Sequence, residues 1–181
     1  MTEKEKMLQG LPYLASEKEL QQTRLHAQRT CFKYNNTDPK HMKERKSIIR
    51  GLFEATDAIF CIEQPFYCDY GSNISIGNNF FSNYNLTILD CAKVTIGENV
   101  MLGPNVAIYT AGHPIHAETR NSGLEYAFPV HIGNNVWIGG NTVINPNVTI
   151  GDNSVIGSGS VVTRDIPPNV IAVGNPCKVL R

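Results

Sequence analysis

The stretch Ile132-Gly-Asn-Asn-Val-Trp-Ile138-Gly-Gly-Asn-Thr-Val-Ile144-Asn-Pro-Asn-Val-Thr-Ile150-Gly-Asp-Asn-Ser-Val-Ile156-Gly-Ser-Gly-Ser-Val-Val162 places an aliphatic residue at every sixth position. The same step links Ile96, Leu102 and Ile108 upstream, and before them Ile76, Ser82 and Ile88; of these twelve anchors only Ser82 is polar. Three residues after the anchors stand Asn79, Asn85, Cys91, Asn99, Asn105, Ala111, Asn135, Asn141, Asn147, Asn153, Gly159 and Asp165. Ten of these twelve are Asn, Gly or Asp, the types that enter the left-handed backbone region at least cost, so a tight turn is demanded every six residues. The residue after each turn is small or β-branched in most hexads, as at Val100, Val106, Val136, Thr142, Val148, Ser154 and Ser160.

Three strand-and-turn hexads make one triangular coil of 18 residues, and stacked coils pair their strands in parallel about 4.8 Å apart. Twelve hexads predict four coils whose anchors fill a narrow prism. A β-sandwich would place strands every 8–12 residues instead. Handedness does not follow from periodicity, and the common rule for crossovers is right-handed. The step from Ile88 to Ile96 is eight residues, inserting two near Asp90–Lys93. The step from Ile108 to Ile132 is 24, which predicts an irregular coil or a loop thrown out over about 113–129. Loops on a rigid scaffold often carry function.

The expected organisation is a helical region over 1–60, the hexad solenoid over 61–165 and a tail over 166–181. Ser16-Glu-Lys-Glu19 reads as a capping box opening a helix with Leu20, Ala27 and Cys31 on one face. A second helix is expected from Pro39 to Phe53, with Met42, Ile49, Leu52 and Phe53 as its apolar members. Asp165-Ile-Pro-Pro-Asn169 stops the last coil.

Composition narrows the function classes. Sixteen Lys+Arg balance sixteen Asp+Glu in 181 residues, with 41% hydrophobic and 18% charged, so a nucleic-acid partner is not expected. No apolar run reaches the ~18–20 residues of a membrane span, and MTEKEKMLQG lacks the apolar core of a secretory signal. Five cysteines without CxxC pairs argue against a disulfide framework or a zinc-thiolate site, which makes the cytoplasm the expected location.

Several segments together resemble the maltose/galactoside O-acetyltransferase branch of the hexapeptide-repeat acyltransferases. They are Glu5 to about Ala58, Tyr70-Gly-Ser-Asn-Ile-Ser-Ile-Gly77 with Asn79-Phe-Phe-Ser-Asn83, Thr110-Ala-Gly-His-Pro114, Ile132 to Gly139, and Gly174-Asn-Pro-Cys177. The resemblance implies a mainly β, left-handed parallel β-helix with an N-terminal α-helical segment and a projecting loop. It also implies a homotrimer with active sites between subunits and acetyl-CoA as cosubstrate, with no metal. It makes His113 the general base for a sugar hydroxyl and Asn83 the group that steadies the transition state. Asp90 matches an acceptor-binding carboxylate, and Asp69, Glu125 and Glu17 are further acceptor-side candidates, the last aligning ambiguously with Leu14 and Ala15. On the cofactor side the matching positions are Gly140 near the thioester, Ser158 and Thr163 along the pantetheine arm and adenine, Arg164, Lys178 and Arg181 at the phosphates, and Trp137 beside the arm.

Direct attack in a ternary complex needs only a base and oxyanion donors, without an acyl-enzyme. The cysteines are read as structural. Other readings are a non-sugar acceptor (serine, an antibiotic or an amino sugar) and a silent scaffold. A zinc carbonic anhydrase of the gamma type would need His113, His116 and His131 as ligands, yet two of them stand three apart in one loop.

Overall fold

The computed structural model describes all residues, Met1 to Arg181. Helix α1 (Glu3–Leu8) opens with a capping box that Thr2 and Glu5 complete. A short strand β1 (Tyr13–Leu14) leads to α2 (Lys18–Asn35), and α3 (Met42–Leu52) follows. The N-cap of α2 is Glu17, whose carboxylate accepts from Glu19 N and Leu20 N. The cap thus stands one residue beyond the expected Ser16, because Glu17 reaches the free amides of the first turn itself. As expected, Leu20, Ala27 and Cys31 share the buried face of α2, joined by Tyr34. No helix is long and apolar enough to cross a membrane.

Strands begin earlier than the hexad pattern shows. The first coil is β2 (Ala55–Thr56), β3 (Phe60–Ile62) and β4 (Phe66–Cys68). The second is β5 (Ile74–Ile76), β6 (Phe80–Ser82) and β7 (Leu86–Leu89); the third is β8 (Val94–Ile96), β9 (Met101–Leu102) and β10 (Ala107–Tyr109). The long interruption is a loop, held by β11 (Ala111–Gly112), α4 (Ala117–Asn121) and β12 (Leu124–Ala127). The fourth coil is β13 (Val130–Ile132), β14 (Trp137–Ile138) and β15 (Val143–Ile144); the fifth is β16 (Thr149–Ile150), β17 (Val155–Ile156) and β18 (Val161–Val162). A partial sixth turn follows through Ile166 and β19 (Ile171–Val173), and β20 (Lys178–Val179) folds back antiparallel on β19. Five full coils and a partial sixth therefore replace the expected four. The first coil escaped the pattern because its anchors include Thr56 and Cys68, and no asparagine stands at its turns.

Three parallel sheets form the faces of the prism. Face 1 stacks β2, β5, β8, β13 and β16; face 2 stacks β3, β6, β9, β14, β17 and β19; face 3 stacks β4, β7, β10, β15 and β18. Registers align the anchors in columns, as in Ile76↔Ile96, Ser82↔Leu102 and Ile88↔Ile108. All twelve anchors are buried. The buried hydroxyls find turn carbonyls: Ser82 Oγ donates to Asn83 O (3.0 Å) and Thr142 Oγ1 to Gly139 O (2.7 Å).

Nine of the twelve expected turn positions have positive φ; the exceptions are Cys91, Ala111 and Asp165. Those three lie on the edge between faces 3 and 1, where the coil is interrupted. On the edge between faces 1 and 2, Asn79, Asn99, Asn135, Asn153 and Asn169 form a ladder of amide hydrogen bonds of 2.9–3.1 Å. A second ladder, Asn85, Asn105 and Asn141, runs up the edge between faces 2 and 3.

Candidate active site

The expected site residues fall on two columns of one chain. The edge between faces 2 and 3 carries Asn83, Gly140 and Ser158. Asn83 follows β6, and its Oδ1 accepts from Tyr84 N (2.8 Å), which turns the Nδ2 donors outward. Gly140 stands two coils higher, about 10 Å along the prism at 4.8 Å per coil. Its N–H makes no hydrogen bond within the chain. Gly103 lies between the two, where a Cβ would come 2.5 Å from Gly140 N. A glycine is required there for the coils to stack and for the amide to stay accessible. Ser158 stacks on Gly139 and Gly140, and Gly159 N donates to Gly140 O (2.9 Å). Trp137 sits beside this edge on face 2, 53% exposed, in an outward row with Phe81 and Met101.

The edge between faces 3 and 1 carries His113, Asp69, Asp90 and Glu125. The loop is pinned where it leaves the prism: β11 pairs with β12 (Ala111↔Ala127, Gly112↔Tyr126), and Arg120 Nη1 donates to Pro114 O (3.2 Å) and Ile115 O (3.0 Å). His113 is held between these ties, exposed, its imidazole without a partner in the chain. The same edge holds a cluster of polar contacts. Tyr13 Oη donates to Glu125 Oε2 (2.9 Å), Cys91 Sγ to Asp69 Oδ2 (3.5 Å) and Arg24 Nη1 to Tyr70 Oη (2.7 Å). Burial raises the Asp69 pKa, while the Cys91 hydrogen bond and the Arg24 charge oppose the shift. Burial also pushes the Cys91 thiol far up.

Two acceptor-side candidates are engaged within the chain. Asp90 is fully buried and its carboxylate receives the backbone amides of Asp69 (3.1 Å), Tyr70 (2.8 Å) and Asn73 (3.3 Å). It staples the corner of the preceding coil, between Cys68 and Ile76, which presents Asp69, and its own oxygens are shielded from solvent. Burial pushes its carboxyl up to about 7, against the pull of the Tyr70 and Asn73 amides. Glu17 is likewise engaged, as the cap of α2. Arg24 and Tyr70 were not singled out as site residues. Arg24 was detectable as the one charged member of the stripe Leu20, Arg24, Ala27, Cys31.

The remaining cofactor-side residues are dispersed. Thr163 and Arg164 follow β18 on the edge between faces 3 and 1, whereas Lys178 and Arg181 lie at the top of face 2 with β20. None of the three cations is in an ion pair within the chain. His116 lies on the loop beside Thr119, and His131 faces outward on face 1 against Thr95, so these two histidines occupy separate surfaces.

Face 3 therefore separates Asn83 from His113, and Ser158 from Thr163. At roughly 3.3 Å per residue this face is about 15–20 Å wide. The structure brings His113, Asp69 and Glu125 to one edge, and Asn83, Gly140 and Ser158 to the other.

Known proteins share this fold. Residues 6–57 match the maltose acetyltransferase hexapeptide capping motif, and residues 129–164 match the bacterial transferase hexapeptide repeat. The galactoside O-acetyltransferase of Escherichia coli is 48% identical over 97% of this chain and 82% of its own. The crystal structure of a maltose O-acetyltransferase from Clostridium difficile superposes with a TM-score of 0.98 at 54% identity, over 100% of this chain and 97% of that one. A galactoside acetyltransferase solved in complex with coenzyme A gives a TM-score of 0.97 at 48% identity, over 100% and 90%. With the left-handed parallel β-helix of these relatives and their helical cap, the chain belongs to the maltose/galactoside O-acetyltransferase branch of the hexapeptide-repeat acetyltransferases.

Proposed function

We propose that the protein moves the acetyl group of acetyl-CoA to a sugar hydroxyl by direct attack, in a site completed by two copies of the chain. The observation that carries this reading is the pair of opposed edges. One presents an unpartnered imidazole with the Asp69 and Glu125 carboxylates on the same edge, and the other presents a side-chain amide below a free backbone N–H. His113 removes the hydroxyl proton as the oxygen attacks the thioester carbonyl. Asn83 Nδ2 and the Gly140 amide donate to the tetrahedral oxyanion, which collapses and expels the CoA thiolate; His113 returns the proton to that sulfur. Asp69 and Glu125 supply acceptors for the sugar's other hydroxyls. Ser158, Thr163 and Trp137 flank the pantetheine and adenine, and Arg164, Lys178 and Arg181 meet the phosphates.

The outward residues of the faces support a cyclic trimer. Face 1 shows Ser75, Thr95, His131 and Thr149 to solvent. Face 2 shows Phe81, Met101 and Trp137, and face 3 shows Tyr67, Thr87, Val143 and Val161, with Ala107 of the same column nearly covered. Two apolar faces suit a copy that touches two neighbours, and the edge bearing His113 then lies beside the neighbour's Asn83. The coenzyme A complex of the galactoside acetyltransferase supports the choice of donor. Five unbridged thiols suit a reducing, cytoplasmic setting.

The test is complementation. His113→Ala and Asn83→Ala should each abolish sugar-dependent thiol release from acetyl-CoA, screened over a sugar panel. Refolded together in equal amounts, they should recover about one quarter of wild-type activity, the chance that an intact His113 meets an intact Asn83 across an interface. No recovery would overturn the shared site, and full activity in His113→Ala would remove the histidine as base. Acetyl transfer to serine or an amino sugar alone would move the acceptor class.

A further inference from the structure

Cys31 and Cys68 take no part in the proposed chemistry, yet their placement is specific. Cys31 is on the buried face of α2, and Cys68 ends β4 in the first coil. Their Sγ atoms lie 3.7 Å apart. The two elements are locked in register next to them: Asn35 Nδ2 donates to Phe66 O (3.0 Å) and Phe66 N donates to Asn35 Oδ1 (2.8 Å). Both thiols are buried, and a cleft of about 310 Å³ reaches the pair beside Phe32 of α2, 72% exposed; its other wall includes Tyr67, which belongs to the face-3 row of the proposed interface. The other three thiols have different surroundings: Cys61 faces Glu63, Cys91 faces Asp69, and Cys177 lies beyond the last full coil.

We infer that Cys31 and Cys68 are a dithiol modification site, which closes to a disulfide by exchange with a small disulfide of the glutathione class. Bonding needs the sulfurs to approach from 3.7 Å to about 2.05 Å, a shift within the reach of side-chain rotation once the backbones are already paired. The two thiols are chemically unequal. The Cys68 hydrogen bond holds Cys31 below its ordinary thiol value, while that bond and burial push Cys68 well above. Cys31, next to the exposed Phe32 in the wall of the cleft, is taken as the attacking group.

Its thiolate attacks one sulfur of the incoming disulfide; that S–S bond breaks, and the other sulfur leaves as a thiolate and takes up a proton. Cys68 then gives up its proton and attacks Cys31 Sγ, expelling the second small thiol. Two protein thiols are oxidised and one small disulfide is reduced to two thiols. The product ties the helical cap to the first coil, one residue before Asp69. The inference stands apart from the proposed acetyl transfer, since it concerns neither edge residue of that chemistry.

The experiment uses the native full chain, equilibrated with mixtures of glutathione and glutathione disulfide, then denatured and alkylated. At oxidising ratios the intact mass should show three alkylated cysteines out of five, and peptide mapping should join Cys31 to Cys68. Dithiothreitol should restore all five. Cys68→Ser should stop at a glutathione adduct on Cys31, whereas Cys61→Ser should still cross-link. Five alkylated cysteines in the oxidised wild type would show a packing pair only and overturn the inference. A cross-link through Cys61, Cys91 or Cys177, or an adduct on wild-type Cys31 that does not resolve, would overturn it as well.

Discussion

Replacing Asp90 by asparagine isolates what a buried carboxylate does at the acceptor edge. Asparagine keeps the volume and one oxygen for the Asp69 and Tyr70 amides, and it gives up the weaker acceptance from Asn73 N at 3.3 Å. That loss is an offset of about 1 kcal/mol at every pH. The titration is the larger effect. Burial pushes the folded carboxyl up to about 7, against about 3.9 for an unfolded aspartate. Between these values the folded chain holds a proton that the unfolded chain lacks, so stability falls as pH rises. The contribution is fully present below pH ~4 and is lost as pH passes through ~7. About three pKa units at 1.36 kcal/mol each give about 4 kcal/mol in all. Asparagine carries no such proton, and the other titrating groups cancel between the two proteins. Paired urea melts at one protein concentration should therefore show the variant gaining about 3–4 kcal/mol on the wild type between pH 4.5 and 8. Asp90→Ala should instead lose several kcal/mol throughout, because three amides are left without an acceptor. A wild-type to asparagine difference that stays flat over that pH range would refute the reasoning.

Asn99→Ala should cost about 2–5 kcal/mol in urea melts, from a left-handed alanine and two lost ladder bonds. Asn99→Gly should recover about 1–2 kcal/mol of that, and equal losses would show that φ is not the issue. Gly103→Ala drives a Cβ to within 2.5 Å of Gly140 N and should cut kcat by tenfold or more (roughly one lost oxyanion donor), whereas Gly51→Ala on α3, with open space around it, should leave activity unchanged. Arg164→Gln and Arg181→Gln should each raise the KM for acetyl-CoA by about 3–10-fold. At least one of the two should matter less for a donor lacking the 3′-phosphate; equal penalties with both donors would assign the pair to the pyrophosphate.

The solenoid was legible because each hexad must satisfy two local demands at once, an aliphatic side chain inside and a left-handed residue at the turn. Where these demands lapse the reading failed. The first coil turns at Ile59, Pro65 and Gly71, and Thr56 and Cys68 fill its interior, so nothing in 55–68 announces a repeat. The edge between faces 3 and 1 breaks the turn rule at Cys91, Ala111 and Asp165, and His113, Asp69 and Glu125 lie on that edge. Asp90 is singled out by the resemblance, as the match to an acceptor-binding carboxylate in the interruption of the hexad pattern. It is buried because the amides of the preceding corner, between Cys68 and Ile76, turn inward, and one carboxylate collects three of them. Only the folded positions of Asp69 N, Tyr70 N and Asn73 N reveal that, since none is a sequence neighbour of Asp90.

A solenoid also limits how a single chain can build an active site. Each register position repeats in a vertical column, so residues on one edge approach one another across coils at about 4.8 Å per step. Residues on different edges stay a face apart however the side chains turn. His113 cannot cross face 3 to Asn83 by loop motion while Gly112 is paired with Tyr126 and Arg120 holds the Pro114 and Ile115 carbonyls. Those ties make sense if the imidazole is aimed at something outside its own chain. In the proposed trimer that something is the second edge of another copy, with its side-chain amide, its bare N–H and the glycine that clears the way to it. On that reading the loop's rigidity and the proposed trimer are one requirement, because a base that serves a neighbour's donors must be positioned by its own chain before the neighbour arrives.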